Sequence, residues 1–287
     1  MAAVLYVVAT PIGNLEDLSP RAQSVLGRVD VVAAEDTRHS GRLLRHFSIA
    51  TPMISLHEHN EYSRIGGLVE RLLSGQSIAL VSDAGTPLVS DPGLQLVAAA
   101  HKAGITVSPI PGPSALTAVL SVAGMAMQDC RFVGFLPHKS SARRRQIQGF
   151  ASYPGSLVIY ESPHRVLDTL KDMVTILGPE REAVMGRELT KKFETVLRAG
   201  LAELHQAIAN DADWQKGEFV FVVGAAPQPE AEVGAIYNDE DERILRILMA
   251  SLPTRQAVTL ATGITGRKKN TLYQLALDIE RQGQEKA

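Results

Sequence analysis

The sequence predicts an α/β protein made of two α/β domains, followed by a small helical domain at the C-terminus. Six short apolar runs each end abruptly in a cluster of small, proline or charged residues, and helical periodicity follows them. Runs of this kind are typical of buried strands in β-α units. Ligands of such sheets bind in the crevice beyond the carboxyl ends of the strands. The pattern therefore indicates an enzyme or a ligand-binding protein with one cleft.

The first α/β domain is predicted over residues 1–123. Its strands are the apolar runs Val4–Ala9, Val31–Ala34, Ile78–Val81 and Ile105–Ile110. Ser19-Pro20 and Asp91-Pro92 each place an N-cap residue before a proline, which predicts a helix start at both positions. Further helices are expected near 62–74 and 93–103, and the small apolar segment 114–124 predicts a buried helix. This alternation of strands and helices implies a largely parallel sheet.

The second α/β domain is predicted over residues 124–225. Its strands are expected at 132–136, 157–160, 183–188 and 218–223. Its helices are expected near 141–150, 163–177 and 201–209, with Ser162-Pro163 at the start of the middle one. Residues 225–232 have the composition of a linker, so the domain ends there.

The C-terminal domain is predicted over residues 238–287. Two helices joined by the short turn 262–266, the second opening with Arg267-Lys268-Lys269-Asn270, resemble a helix-turn-helix. A helical hairpin that only packs or dimerises would give the same pattern. Both interpretations stay open at this point.

Composition is that of an ordinary soluble globular protein, with 45% hydrophobic residues, 21% charged residues and a net charge of -2. The single cysteine, Cys130, excludes an internal disulfide framework and fits the cytoplasm. No apolar stretch is long enough to span a membrane, and no signal peptide is visible.

Residues 130–160 and 252–277 contain Lys and Arg but no acid, so each is either a phosphate-binding surface or a solvated helix face.

Several common site types are excluded by their missing motifs. The chain has no P-loop, no G-x-G-x-x-G after its first strand and no G-x-S-x-G elbow. No set of Cys and His has the spacing of a zinc site. His57-Glu58-His59 offers two imidazoles, too few for a metal site, and a hydrogen-bonded surface loop is the favoured interpretation. We therefore expect no metal.

Three strand ends are rich in glycine, proline and other small residues, which suits a site built from loop backbone. They are Pro11-Ile12-Gly13, Asp83-Ala84-Gly85-Thr86-Pro87 and Pro111-Gly112-Pro113-Ser114-Ala115. Glycine permits close approach of a ligand, proline fixes a turn, and an uncapped helix start offers N–H groups. Asp83 adds a carboxylate suited to a ribose hydroxyl or a cation. Each loop alone is compatible with an ordinary turn, but three at successive strand ends favour a binding site.

The combined motifs resemble those of the ribosomal RNA cytidine 2'-O-methyltransferases of the tetrapyrrole methylase superfamily. The motifs are Thr10–Leu15, Ala34–Arg38, Leu56–Asn60, Ser82–Pro87, Pro111–Ser114, Tyr160–Arg165, Arg187–Lys191 and Lys216–Glu218. The resemblance covers essentially the whole chain. It implies two α/β domains with S-adenosylmethionine in the cleft between them, and a helix-turn-helix-like tail. Porphyrin-type members carry Gly-Asp-Pro where this chain has Ser82-Asp83-Ala84-Gly85.

The resemblance implies that six residues contact the cofactor, largely through backbone: Ile12, Asp83, Thr86, Ser114, Ala115 and Tyr160. Pro11, Gly13 and Gly85 belong to the same loops and complete the predicted cofactor site. The expected substrate is the small ribosomal subunit or its 16S RNA, methylated on a cytidine of the decoding centre. A homodimer is also implied.

A ribose hydroxyl is a weak nucleophile, so a general base is expected. The candidates, which the sequence does not rank, are Asp36, His57, His59, Glu161 and Glu188. Histidine has the best-matched ordinary pKa. Predicted substrate-binding cations are Arg38, Arg165, Arg187 and Lys191 at strand ends, and Arg143, Arg144, Lys268 and Lys269 in the basic stretches. Structural ion pairing is the alternative, less favoured interpretation of the charged strand ends 161–165 and 187–191.

Two other functions remain open from the sequence. A tetrapyrrole C-methyltransferase would use the same cleft and leave the basic tail without a role. A nucleic-acid-binding regulator would bind RNA or DNA without transferring a methyl group. Deletion of residues 238–287 discriminates between an RNA enzyme and a tetrapyrrole enzyme, because only the RNA enzyme should lose substrate affinity.

Overall fold

The computed structural model describes residues 3–125, 129–227 and 239–284. The chain divides into two compact units, Met1–Ala226 and Pro227–Ala287, and both of the observed sheets lie in the first. The change from the first sheet to the second falls near residue 124, where the two α/β domains are expected to meet. Of the predicted linker 225–232, residues 228–232 lie outside the described residues.

The first sheet is entirely parallel, as predicted, with the strand order β3-β2-β4-β1-β5. Its strands are β1 (Val4–Val8), β2 (Val31–Ala34), β3 (Met53–Ser55), β4 (Ile78–Val81) and β5 (Thr106–Ile110). Its helices are α1 (Pro20–Leu26), α2 (Thr37–His46), α3 (Glu61–Leu73) and α4 (Leu94–Lys102), and α5 (Ala115–Ala123) follows β5. Because β1 lies between β4 and β5, the loops after these three strands meet at one edge of the sheet.

Apolar clusters cover both faces of the first sheet, which explains why its strands are continuous apolar runs. Strand β4 sends Ala79 and Val81 into one cluster, with Val25 of α1. It sends Ile78 and Leu80 into the opposite cluster, with helices α3 and α4. Strand β3 was not predicted, because three half-buried residues at a sheet edge carry little pattern.

The second sheet is mixed, with the order β6-β7-β10-β8-β9. Its strands are β6 (Cys130–Phe135), β7 (Ser156–Glu161), β8 (Glu182–Arg187), β9 (Thr195–Gly200) and β10 (Phe219–Val223). Its helices are α6 (Ser140–Gln148), α7 (Val166–Leu177) and α8 (Leu201–Asn210). Only β6 and β7 pair in parallel, while β10 is antiparallel to both β7 and β8. Strand β9, which was not predicted, forms an antiparallel hairpin with β8 at the sheet edge.

Helix α5 connects the two sheets. Val119 and Ala123 of α5 pack with Ile12 against Val158 and Val220 of the second sheet. The predicted burial of this helix is confirmed for that face only, since Val122, which flanks it, is 52% exposed. Hence the loops of the first sheet and the strands of the second face each other around α5.

One of the three predicted helix starts is confirmed. Ser19 Oγ accepts a hydrogen bond from the N–H of Ala22 and caps α1. Helices α4 and α7 begin later than predicted, at Leu94 and Val166. Gly93 precedes α4 with φ of 117°, and a Cβ there would lie 2.7 Å from Leu80 Cδ2, so the turn needs glycine.

The C-terminal unit contains three helices in its described residues: α9 (Asp239–Met249), α10 (Thr254–Thr265) and α11 (Lys269–Gln284). Leu245, Val258 and Leu272 are fully buried in its core. Helix α10 runs through most of the turn predicted at 262–266 and ends at Gly266 in the left-handed conformation. Among the described helices, none is both long enough and apolar enough to cross a membrane.

Candidate active site

The three small loops of the first sheet are held together by hydrogen bonds to backbone groups. Thr10 and Gly85 exchange two of them, with N···O distances of 2.8 and 3.0 Å. Thr86 Oγ1 donates to the carbonyl of Pro113 at 3.1 Å. The loops after β1, β4 and β5 therefore form one continuous wall.

Glycine is required at the centre of this wall. Gly85 has φ of 83°, and a Cβ there would lie 3.3 Å from Ile12 Cγ2 and 3.8 Å from the Pro113 carbonyl oxygen. At Gly13, a Cβ would collide with Lys191 Cγ, because the Lys191 side chain crosses this residue. These contacts explain the small residues that the sequence places at both strand ends.

A cleft of about 450 Å³ opens between this wall and the second sheet. Seven predicted cofactor residues line it: Ile12, Asp83, Gly85, Thr86, Ser114, Ala115 and Tyr160. Pro11 and Gly13 adjoin the cleft through Ile12 without lining it. The volume lies within the range of small-molecule sites, about 300–1,000 Å³. The structure thus brings most of the predicted cofactor residues together.

Five acidic residues line the cleft, and three of them, Glu35, Asp83 and Asp91, belong to the first α/β domain. The backbone N–H of Asp36 donates to Asp83 Oδ1 at 3.0 Å, which ties the end of β2 to the end of β4. Burial raises the pKa of Glu35, and the neighbouring charges of Asp83 and Glu58 add to the effect. Burial, with the charges of Glu35 and Asp83, raises the pKa of Asp91 to about 6, although a hydrogen bond from Ser82 opposes it.

Glu35 and Asp91 were not among the predicted site residues. Glu35 immediately precedes Asp36, and the sequence does not show which of the two carboxyl groups faces the cleft. Asp91 was interpreted as a helix cap, but α4 begins only after Gly93. Gly93 itself was the available signal, because a glycine before a helical segment allows the chain to turn.

Tyr160 forms the aromatic side of the cleft. Its ring is edge-to-face with Phe132 at 5.1 Å and with Phe135 at 5.7 Å between centroids. The backbone of Leu116 and the side chain of Ser114, at the start of α5, lie close enough to its hydroxyl to act on its pKa. Burial raises the pKa of Tyr160, so the phenol stays neutral.

Among the predicted catalytic residues, only Glu161 lines the cleft, and its carboxylate is engaged in the fold. It accepts hydrogen bonds from Arg165 Nη2 at 3.0 Å, Thr169 Oγ1 at 2.6 Å and the N–H of Ser162 at 2.8 Å. Arg165 also donates to the Leu136 carbonyl at 2.7 Å. This geometry favours the structural ion pair over a role as proton acceptor or phosphate ligand.

Two other predicted catalytic residues, Asp36 and Glu188, do not line the cleft. The Arg38 guanidinium holds the pKa of Asp36 well below its usual range. Burial of Glu188 is outweighed by hydrogen bonds from Lys191 and Glu218, so its pKa is also lowered. Lys191 Nζ lies 2.8 Å from Glu188 Oε1 and 2.9 Å from Glu218 Oε2. Both carboxylates are therefore weak bases held in ion pairs.

The two predicted histidines lie beside the cleft rather than in it. His57 Nε2 is 3.1 Å from Asn60 Nδ2, while its Nδ1 is buried without a hydrogen-bond partner. His59 is exposed, with its ring 5.9 Å from that of His57. Across the part of the chain that the structure describes, no three potential ligands group as a metal site would require.

The predicted substrate-binding cations fall into three groups, the first being Arg165 and Lys191, which are held in the ion pairs described above. Arg143 and Arg187 are buried: Arg143 Nε lies 2.7 Å from Asp172 Oδ2, and Arg187 Nε donates to the Lys216 carbonyl at 2.8 Å. They cannot reach an RNA phosphate, because their guanidinium groups are occupied inside the fold. The exposed cations are Arg38, Arg144, Lys268 and Lys269.

Comparison with known families identifies both units. Residues 4–205 match the family Tetrapyrrole (Corrin/Porphyrin) Methylases. Residues 238–280 match the family RsmI C-terminal HTH domain. The helix-turn-helix interpretation of the tail is thereby confirmed.

Close relatives are similar over nearly the whole chain. A protein of Pseudomonas aeruginosa named Ribosomal RNA small subunit methyltransferase I is 51% identical, covering 98% of this chain and 99% of its own length. A relative of the same name from Escherichia coli O157:H7 is 47% identical and covers 96% of this chain.

Among solved structures, diphthine synthase superimposes with a TM-score of 0.59 at 18% identity, covering 78% of this chain and 90% of that one. The uroporphyrin-III C-methyltransferase of Thermus thermophilus, complexed with S-adenosyl homocysteine, gives a TM-score of 0.53 at 17% identity, covering 77% and 97%.

Proposed function

The chain belongs to the tetrapyrrole methylase family, and we propose that it is an S-adenosylmethionine-dependent methyltransferase acting on the 2'-oxygen of a decoding-centre cytidine in 16S ribosomal RNA. The observation that carries this proposal is the 51% identity, over 98% of the chain, to a protein named for small-subunit ribosomal RNA methylation. The helix-turn-helix match at residues 238–280 supports a nucleic-acid substrate over a tetrapyrrole.

The cleft fits S-adenosylmethionine. The wall formed by the loops after β1, β4 and β5 offers a small apolar surface around Ile12 and Gly85, against which an adenine can lie. Its carboxyl groups Glu35, Asp83 and Asp91 suit ribose hydroxyls and cationic groups. One of the similar solved structures, the uroporphyrin-III C-methyltransferase of Thermus thermophilus, contains S-adenosyl homocysteine.

When bound, S-adenosylmethionine supplies a methyl group that is already activated by its positive sulfur. The protein therefore mainly has to align donor and acceptor, and orientation of this kind supplies about 7–11 kcal/mol of a barrier. The loops after β1, β4 and β5 are suited to this task, because the hydrogen bonds from Thr10 and Thr86 make their wall rigid. Negative charge at Glu35 and Asp83 favours binding of a cation.

Asp91 is the carboxyl group best suited to accept the proton of the ribose hydroxyl. It lines the cleft, and its pKa of about 6 lies near the working pH. A positioned base of this kind contributes about 10²–10⁴-fold to the rate. Asp36, Glu161 and Glu188 are less suitable, because each is held in an ion pair. His57 and His59 lie outside the cleft lining.

RNA binding is assigned to the exposed cations rather than to all the predicted ones. Lys268 and Lys269 at the start of α11 present charge at the position where a helix-turn-helix contacts nucleic acid. Arg38 and Arg144 lie on the surface of the α/β unit. The small ribosomal subunit or its 16S RNA, in the cytoplasm, is the proposed substrate.

A homodimer remains part of the proposal. Strand β9 is an edge strand with Val196 exposed, and Arg198 of the same strand donates to the carbonyl of Gly124 at the end of α5. Val122 of α5 is also exposed. An open strand edge beside exposed apolar residues is suited to pairing with a second copy. Light scattering of the purified chain tests this part independently.

Methyl transfer tests the proposed function. Small subunits from a strain that lacks the modification are incubated with the full chain and S-adenosylmethionine carrying a labelled methyl group. We expect label in the RNA within an alkali-stable dinucleotide, because 2'-O-methylation blocks hydrolysis at that position. Label in an anionic tetrapyrrole but not in RNA would overturn the proposal in favour of a C-methyltransferase. RNA binding with no transfer to either substrate would indicate a regulator.

A further inference from the structure

Phe135 is a large apolar side chain left open to the cleft. It lines the cleft and is 54% exposed, whereas the other phenylalanine in the lining, Phe219, is 4% exposed. An exposed aromatic ring inside a ligand site is available to a flat ligand. The loops and carboxyl groups assigned above do not account for it.

A β-bulge places Phe135 in this position. The pairing of β6 with β7 shifts register between Phe132 and Gly134, and Gly134 has φ of 71°. Phe135 consequently lies opposite Tyr160. A Cβ at Gly134 would lie 3.0 Å from Ser90 Oγ, so the opposite wall of the cleft approaches the bulge closely. Bulges beside active sites commonly serve to re-aim one side chain.

The ring of Phe135 is also held in place. It packs edge-to-face on Tyr160, with centroids 5.7 Å apart and an interplanar angle of 71°. Tyr160 in turn packs edge-to-face on Phe132, with centroids 5.1 Å apart. A rigid platform loses little conformational freedom when a base stacks on it.

Two cations, Lys139 and Arg144, follow Phe135 along the chain. Arg165 is already engaged, because its Nη2 donates to the Leu136 carbonyl at 2.7 Å and its Nη1 lies 3.1 Å from His138 Nδ1. His138 and Lys139 are exposed, and Arg144 of α6 is half-exposed. Aromatic rings beside cations are typical of surfaces that bind single-stranded nucleic acid.

We propose that Phe135 stacks on the base of the target cytidine and thereby fixes its ribose in the cleft. This inference rests on the proposed function. Single-stranded RNA bases are commonly recognised by stacking on aromatic side chains, which tolerates any base and needs no hydrogen bond. The bulge aims the exposed ring into the cleft, and the two exposed cations follow on the same segment of the chain.

Three variants of the full chain test the proposal in steady-state methylation of small subunits. Phe135→Ala removes the ring, Phe135→Trp keeps an aromatic surface, and Tyr62→Ala removes an exposed ring on α3 that does not line the cleft. For Phe135→Ala we expect the KM for small subunits to rise roughly 10- to 100-fold. We expect the KM for S-adenosylmethionine and the melting temperature to stay unchanged. Phe135→Trp should restore the KM to within about 3-fold of the parent value.

Three results would overturn the proposal. The first is an unchanged KM for small subunits in Phe135→Ala. The second is a weakened affinity for S-adenosylmethionine, measured by calorimetry, which would assign the ring to the cofactor. The third is an equal loss in Tyr62→Ala, which would indicate an unspecific surface effect. Failure of the proposed function is distinguishable, because the unsubstituted chain would then methylate no RNA at all.

Discussion

Replacing Asp91 with asparagine is expected to stabilise the fold at neutral pH and to slow methyl transfer. Burial, and then the charges of Glu35 and Asp83, raise the pKa of Asp91 from 3.8 to about 6. A shift of about two pKa units corresponds to about 3 kcal/mol. Because Asp91 is only half-buried, solvent screening reduces the effect to about 1–2 kcal/mol.

The sign of the effect follows from the direction of the shift. A carboxyl group with a raised pKa in the folded state favours folding when it is protonated. This contribution is fully present below about pH 4 and is lost as the pH rises through about 6. At about pH 8 the Asp91→Asn variant should therefore be more stable than the parent by about 1–2 kcal/mol, and at about pH 4 the difference should disappear.

Activity should change in the opposite direction. Without a proton acceptor, kcat is expected to fall by about 10²–10⁴-fold. In the parent enzyme, kcat should decline as the pH falls through about 6, and this decline should be absent in Asp91→Asn. A gain of stability with a loss of turnover is typical of a functional residue held in an unfavourable environment.

The assays are urea unfolding followed by circular dichroism between about pH 4 and pH 8, and single-turnover methylation over the accessible pH range. Asp36→Asn is the matched control, because Asp36 is a neighbouring carboxylate outside the cleft lining that pairs with Arg38. It should retain most of kcat and gain no stability. The reasoning would be refuted if Asp91→Asn kept full kcat, or if it were less stable than the parent at about pH 8.

Two further predictions concern the cations. Arg143→Ala should destabilise the fold by about 3–5 kcal/mol in urea unfolding, because Asp172 stays buried and keeps only its longer contacts with Arg144 and Ser140, while Arg144→Ala should cost about 0–1 kcal/mol. Equal stabilities, with RNA affinity lost in Arg143→Ala alone, would contradict this assignment. Joint replacement of Lys268 and Lys269 by alanine should weaken RNA binding and reduce the slope of log K against log salt by about 2, with cofactor affinity unchanged. Filter binding at several salt concentrations measures that slope, and an unaltered slope would exclude phosphate contacts by these lysines.

The wall formed by the loops after β1, β4 and β5 could be predicted from the sequence, because the residues that shape each loop are close together in the chain. Glycine and proline fix loop shape within a few residues, and parallel strands place their carboxyl ends at one edge. Ile12, Gly85 and Ser114 meet for that reason. The family resemblance then supplied the methyl donor and the RNA substrate, which residue patterns alone left open.

The roles of charged residues were harder to predict, because a side chain's partner is often distant in the sequence. Arg143 and Arg144 are adjacent, yet only Arg143 is buried, and its partner Asp172 lies 29 residues away. Asp91 and Phe135 depend on Gly93 and Gly134, whose positive φ values turn the chain toward the cleft. A strand pattern does not reveal such local turns, and it equally missed the half-exposed edge strand β9.

The central claim is that the cleft between the two sheets holds the methyl donor. A crystal structure of the full chain with S-adenosyl homocysteine tests it most directly. We predict a single bound molecule in contact with Ile12, Thr86 and Tyr160, with its sulfur directed toward the space between Asp91 and Phe135. Binding at any other surface, with this cleft unoccupied at saturating concentration, would contradict the assignment.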